Sequence, residues 1–178
     1  MNIWTNLILL LTSPVNGWKQ IGKYNIPKDY LLSKLFAPLI GLVGISAFAL
    51  FFYEQGVGIV SILQRAIIQI GGYYFGYNIS SYILIAYSQN DNKAETNRIF
   101  VFCMYCYSLL MIFSIIENLI PPNMVIIFKI LPLYVAFIIW KATEYINIEM
   151  SESRFVLVFV LAVMLPYYIL SILLNSLL

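Results

Sequence analysis

The sequence predicts an all-α integral membrane protein: a bundle of five transmembrane helices preceded by short N-terminal interfacial amphipathic helices. Three observations carry that prediction. Of the 178 residues, 62% are hydrophobic and 10% charged, against about 25% charged in an ordinary soluble domain. A soluble core of this length does not bury so much apolar surface, so lipid is the expected solvent for much of it. The apolar residues fall into runs of about 20, the length that crosses a hydrocarbon core of about 30 Å. Finally, the positive residues alternate between the ends of those runs in the manner of cytoplasmic loops.

At the N-terminus, Ile3, Trp4, Leu7, Ile8 and Leu11 fall on one face at helical spacing. Thr12-Ser13-Pro14 then stops that helix and starts another, with Ser13 as N-cap and Pro14 at the first helical position. Val15, Trp18 and Ile21 form the apolar side of this second helix, and Lys19 and Lys23 fall towards its other side. No positive residue precedes the run Leu7–Leu11, and no small-residue cleavage site follows it, so the segment does not read as a signal peptide. Residues 1–30 are expected to lie at the membrane surface, with Trp4 and Trp18 as interfacial anchors and the lysines towards lipid phosphates.

The spanning helices are expected at about 31–53, 66–87, 98–119, 124–145 and 154–177, all within one membrane domain covering 1–178. Pro38 lies in the first turns of the first, Pro132 inside the fourth and Pro166 inside the fifth; kinks of that kind are tolerated within bilayers. Polar runs at Gln89–Asn97 and Asn147–Ser153 must lie outside the hydrocarbon. With the N-terminus in the cytoplasm, Lys19, Lys23, Lys28, Lys34, Lys93, Arg98, Lys141 and Arg154 all fall on the cytoplasmic side, and Arg65 and Lys129 on the other. The opposite orientation inverts that ratio, so the topology is N-in, C-out.

Within the second span, Gly72, Gly76 and Ser80 stand four residues apart, a stripe of small side chains that lets another helix come close. Helices one and two turn near Val60. Equal distances from that turn bring Gly76 level with Gly44, and the stripe is expected to pack on the small face of Gly41, Gly44 and Ala47. Gln69, Asn78, Ser80 and Ser81 are read as interhelical hydrogen-bonding groups. The same equal-depth argument pairs Glu117 with Lys129 across the turn near Asn123, a candidate intramembrane ion pair.

Catalytic and cofactor chemistry is sparse. Histidine is absent, which excludes imidazole acid–base schemes and histidine-ligated haem. Cys103 and Cys106 have C-x-x-C spacing but sit inside an apolar helix with no thioredoxin-like strand pattern around them, and are read as packing. No cofactor or metal is expected, the chain is read as non-enzymatic, and no basic stripe suggests nucleic acid.

The start LLLTSPVNGWKQI, the order of five hydrophobic segments, the small residues of the second helix and the short polar loop before the fifth resemble the Yip-type (Ypt/Rab-interacting protein) membrane domain family. The resemblance covers essentially the whole chain. It implies an integral membrane protein with a cytoplasmic N-terminus, acting through a partner protein or on membrane organisation. Eukaryotic members are associated with Rab-type GTPases. This chain has neither their long N-terminal region nor a D-L-Y-G-P-like segment, and so looks like a bacterial member, placed in the cytoplasmic (inner) membrane. Membrane lipids and a cytoplasmic protein are the expected partners. The alternative function is a small-solute transporter or channel subunit, which requires a hydrated cavity at mid-depth near Asn78, Ser80 and Ser81.

Overall fold

The computed structural model describes residues 2–24, 26–53, 56, 58–88, 92–121, 130–143, 145–146 and 151–177. Among them every regular element is helical. In chain order they are α1 (Ile3–Thr12), α2 (Pro14–Lys23), α3 (Lys28–Phe52), α4 (Ile59–Ser88), α5 (Lys93–Leu119), α6 (Leu131–Trp140) and α7 (Glu152–Leu177). Three of them, α3, α5 and α7, are long and apolar enough to cross a membrane. That is compatible with an integral membrane protein.

The expected second and fourth spans differ from these three. At 30 residues, α4 is about 45 Å long at the usual helical rise. Its Gln64, Arg65, Gln69 and Asn78, with its glycines and tyrosines, dilute its hydropathy. In α6 only ten residues are helical among those described, and Pro132 stands in its first turn. Proline lacks an N–H and suits a helix start, where that donor is orphaned anyway. The helix therefore begins at Leu131, with Pro132 in its first turn, where it introduces no kink. Residues 122–129, including Lys129 of the expected ion pair, lie outside the described residues.

Pro38 shapes α3. Its ring displaces the preceding turn, and Leu32–Phe36 widens into π geometry, with the Ala37 N–H donating to the Leu32 carbonyl five residues back. The far end tightens into a 3₁₀ stretch at Ala47–Phe52.

The bundle is built around α5. Between Ile99 and Ser114 nearly every side chain of α5 is buried, the behaviour of a helix that is apolar all round. It touches α3, α4, α6 and α7, while α4 and α7 form the most extensive interface between two helices. The pair α1–α2 folds as a tight hairpin: a Cβ on Gly17 would come within 2.8 Å of the Leu10 side chain and 3.0 Å of its backbone. Only glycine allows the two helices to cross so closely.

This hairpin does not lie loose at a surface. Leu10, Trp18 and Ile21 are buried, and the Asn6 amide donates to the Tyr105 hydroxyl at 3.4 Å. Tyr105 is seven residues beyond Arg98, so α1 reaches about 10 Å further along α5 than the pocket around Arg98 described below.

Candidate functional site

Polar chemistry gathers at the two ends of α5. At its C-terminal end Asn118 is the centre of a buried knot. Its amide NH2 donates to the Ser46 hydroxyl at 2.8 Å and to the Gln69 carbonyl oxygen at 3.0 Å. Its own carbonyl oxygen accepts from Gln69 at 3.2 Å and from the Arg65 guanidinium at 3.1 Å. Ser46 passes its proton on to the Val43 carbonyl at 2.8 Å. Both Asn118 donors and its acceptor are thereby used, and α3, α4 and α5 are tied together at one level.

Midway along α5, tyrosine hydroxyls do the joining. Tyr107 donates to the Val163 carbonyl of α7 at 2.8 Å. Its one proton is thus spent, so Ser80, 2.8 Å away on α4, donates to it. Val163 lies in the turn before Pro166, where the proline weakens the main-chain ladder and a side-chain donor is useful. About two helix turns back along α4, Tyr73 bonds to Ser114 and to the Leu110 carbonyl of α5, and its ring stacks on Tyr167 of α7 at 4.3 Å between centroids.

These contacts correct the expected partner of the small-residue stripe. A Cβ on Gly76 would sit 2.9 Å from the Tyr107 hydroxyl, and one on Gly72 would sit 3.2 Å from the Ser171 hydroxyl and 3.3 Å from the Tyr167 ring. The stripe Gly72, Gly76, Ser80 therefore makes room for α5 and α7, not for the glycines of α3. Gly44 does face α4, but against Ile70, at 2.7 Å from a built Cβ, and Gly41 has nothing within 4 Å. The equal-distance argument failed because residues 59–65, which the expected span of about 66–87 leaves out, are the first turns of α4. Tyrosines fill what the glycines leave open, a match that a search for small-on-small faces does not see. Of the other polar groups, Gln69 bonds between helices as expected, whereas Asn78 donates to the Tyr74 carbonyl of its own helix. Ser80 and Ser81 are fully buried.

At the N-terminal end of α5 the chemistry is cationic. Lys19 of α2, Arg98 of α5 and Lys141, just past α6, line a cavity of about 220 Å³ together with Trp18, Gly22 and Tyr145. Trp18 is not the exposed interfacial anchor that the sequence suggested. It is 2% exposed, its indole N–H donates to the Ile138 carbonyl at 2.9 Å, and its ring stacks on Tyr145 at 5.2 Å and lies 5.4 Å from Phe102. Trp18 thus anchors α2 to the protein and forms an aromatic wall of the cavity. Trp4, by contrast, is 41% exposed. Gly22 closes the same wall, with a built Cβ at 3.4 Å from Tyr145.

Neighbouring contacts fix this end further. The Lys28 N–H donates to the Asn97 side chain at 3.1 Å, and Asn97 donates to the Ile26 carbonyl at 2.8 Å. Lys28 Nζ lies 4.6 Å over the Phe100 ring. Lys141 Nζ lies 3.9 Å over the Trp140 ring, and Trp140 borders an open apolar groove of about 710 Å³ between α6 and α7. Lys19, Lys28, Arg98 and Lys141 therefore share one end of the bundle, and Arg65 stands at the other with Asn118. Glu117, beside Asn118, is half-buried in the last turn of α5. Cys103 and Cys106 are free thiols buried in the middle of α5. The cavity was legible in part: Trp18 stood out and Lys19, Arg98 and Lys141 were expected on one side, but nothing in the sequence gathered them with Tyr145 around one cavity. Asn118 was missed altogether, although an amide inside an apolar helix is the signal that finds such a residue.

No family model, curated protein or solved structure matches this chain.

Proposed function

We propose that this is a non-enzymatic polytopic protein of the bacterial cytoplasmic membrane that binds a protein partner or organises lipid at its cationic end. In this reading α4 and the segment containing α6 are the second and fourth of five spans. The N-terminus is cytoplasmic, the C-terminus lies outside, and the Yip-type resemblance points the same way. The observation that carries it is the gathering of Lys19, Arg98 and Lys141 from three separate elements around one cavity at one end. At mid-depth Ser80 and Tyr73 on α4 are taken up by Tyr107 and Ser114, close packing that supports this reading over a solute path.

The test is photo-cross-linking in native membranes. A photoreactive residue at Gln20, on α2, is expected to give discrete protein or lipid adducts, and the same residue at Gly58, before α4, to give none. Equal adducts at both ends, or none from either, overturns the reading. Orientation is checked separately. A cysteine at Lys93 is expected to resist an impermeant maleimide in intact cells and to react in inverted vesicles.

A further inference from the structure

We infer that the cationic cavity and the apolar groove beside it are the two halves of one binding site, for a single anionic phospholipid. The inference deepens the lipid-organising reading above and rests on it. Three features meet at the Trp140–Lys141 step. On one side, Lys19, Arg98 and Lys141 surround a cavity of about 220 Å³. A water takes about 30 Å³ of liquid, so this cavity is the size of several waters, ample for a phosphate group and part of its glycerol. On the other side, Trp140, Val156, Leu157, Val160 and Leu161 line an open groove of about 710 Å³ with scarcely a polar atom. Ligand sites of about 300–1,000 Å³ with apolar walls and a few convergent polar groups are the common form.

The joint between the halves is built. Lys141 lies over the face of Trp140, which holds its ammonium at the mouth of the groove by a cation–π contact. Arg98 offers a planar fork suited to two phosphate oxygens. Trp18 and Tyr145, stacked and buried, wall the cavity and keep water from one side of it. A soluble phosphate would use only the cavity. A phospholipid uses the cavity for its headgroup phosphate and the groove for an acyl chain, and only the second ligand accounts for both halves lying against each other.

Trp140 makes the site observable. In a Trp4→Phe background, purified protein is reconstituted in phosphatidylcholine bilayers containing phosphatidylglycerol or phosphatidylcholine with brominated chains, whose bromines quench tryptophan on contact. Brominated phosphatidylglycerol is expected to quench at the lower mole fraction. The preference should shrink roughly fivefold for each charge removed in Arg98→Gln and Lys141→Gln, the weight of one cation near a membrane surface. Lys34→Gln with Lys93→Gln removes as much charge elsewhere and is expected to leave the preference intact. Leu161→Phe, which narrows the groove without adding a tryptophan, is expected to weaken quenching by both lipids together.

Equal quenching by the two headgroups in the wild-type background overturns the inference without any variant. So does a preference that follows total charge in the Lys34/Lys93 control, or full displacement by inorganic phosphate. A protein that partitions into membranes with no headgroup preference loses this inference alone. A protein absent from the membrane fraction loses the reading beneath it.

Discussion

Two helices of this protein, α5 and α7, are almost equally apolar and live in different surroundings. Of the most apolar stretch of α5, 78% is buried inside the protein; of that of α7, 22% is. Hydropathy alone cannot separate them, because lipid and protein interior are both oily to a leucine. The separating feature is what interrupts the apolar run. In α5 the interruptions are Tyr105, Tyr107, Ser108, Ser114 and Asn118, most with partners on other helices. In α7 the outward row Leu157, Leu161, Leu165 and Ile169 is aliphatic and about half exposed. A hydroxyl or amide in lipid has nowhere to turn, so its presence marks a face that meets protein.

The comparison breaks most directly by making one change in both helices. Leu109 on α5 is fully buried and Leu161 on α7 is 45% exposed. Leu109→Ala opens a cavity and is expected to cost about 2–5 kcal/mol. Leu161→Ala gives up contacts that detergent or lipid replaces and is expected to cost well under about 1 kcal/mol. Thermal unfolding in one detergent measures both. Similar losses at the two sites would mean that α7 also faces protein, for instance in an oligomer.

Next in size is Asn118→Ala. It leaves Gln69, Arg65 and Ser46 each short of a partner, at an expected cost of about 2–3 kcal/mol in the same assay. Gln69→Leu combined with it should cost less than the sum of the two single changes, because one pair is lost in all three proteins.

Much of this architecture was legible. The three long apolar helices, the Ser13-Pro14 break between α1 and α2, and the hydrogen-bonding role of Gln69 follow from composition and spacing. What was not legible is which helix sits in the middle. The small-residue stripe of α4 drew attention because Gly72 and Gly76 are conspicuous, yet a glycine only records that something comes close. Its partners were rings, Tyr107 and Tyr167, and nothing in a tyrosine's position says which glycine it fills. Trp18 was misplaced for a related reason. A tryptophan near a helix end with lysines around it suits a membrane interface, and it equally suits a wall between Phe102 and Tyr145 when a carbonyl such as that of Ile138 is within reach of its N–H. Sequence gives that donor no address.

The glycines offer a sharper version of the same test. Gly76→Leu drives a side chain into Tyr107 and is expected to cost about 1–3 kcal/mol. Gly41→Leu, where a built Cβ has nothing within 4 Å, should be close to neutral. Had α3 been the partner of the stripe, both changes would destabilise. If Gly76→Leu is tolerated, Tyr107 does not hold the place described here.

The smallest change is also the most specific. Tyr107→Phe keeps the ring that fills the space beside Gly76 and removes only the hydroxyl. Ser80 then loses its acceptor on α5 and the Val163 carbonyl loses its donor. Interhelical hydrogen bonds in membrane proteins are worth about 0.6 kcal/mol on average, so the two together are expected to cost about 1 kcal/mol. Ser80→Ala keeps the Tyr107–Val163 bond and should cost about half as much. If Tyr107→Phe costs no more than Ser80→Ala, the bond to Val163 adds nothing, and α5 is joined to α7 at this level by ring packing alone. If it costs more, the hydroxyl spans both neighbours, and the difference between α5 and α7 comes down to one proton placed on the carbonyl that stands three residues before Pro166.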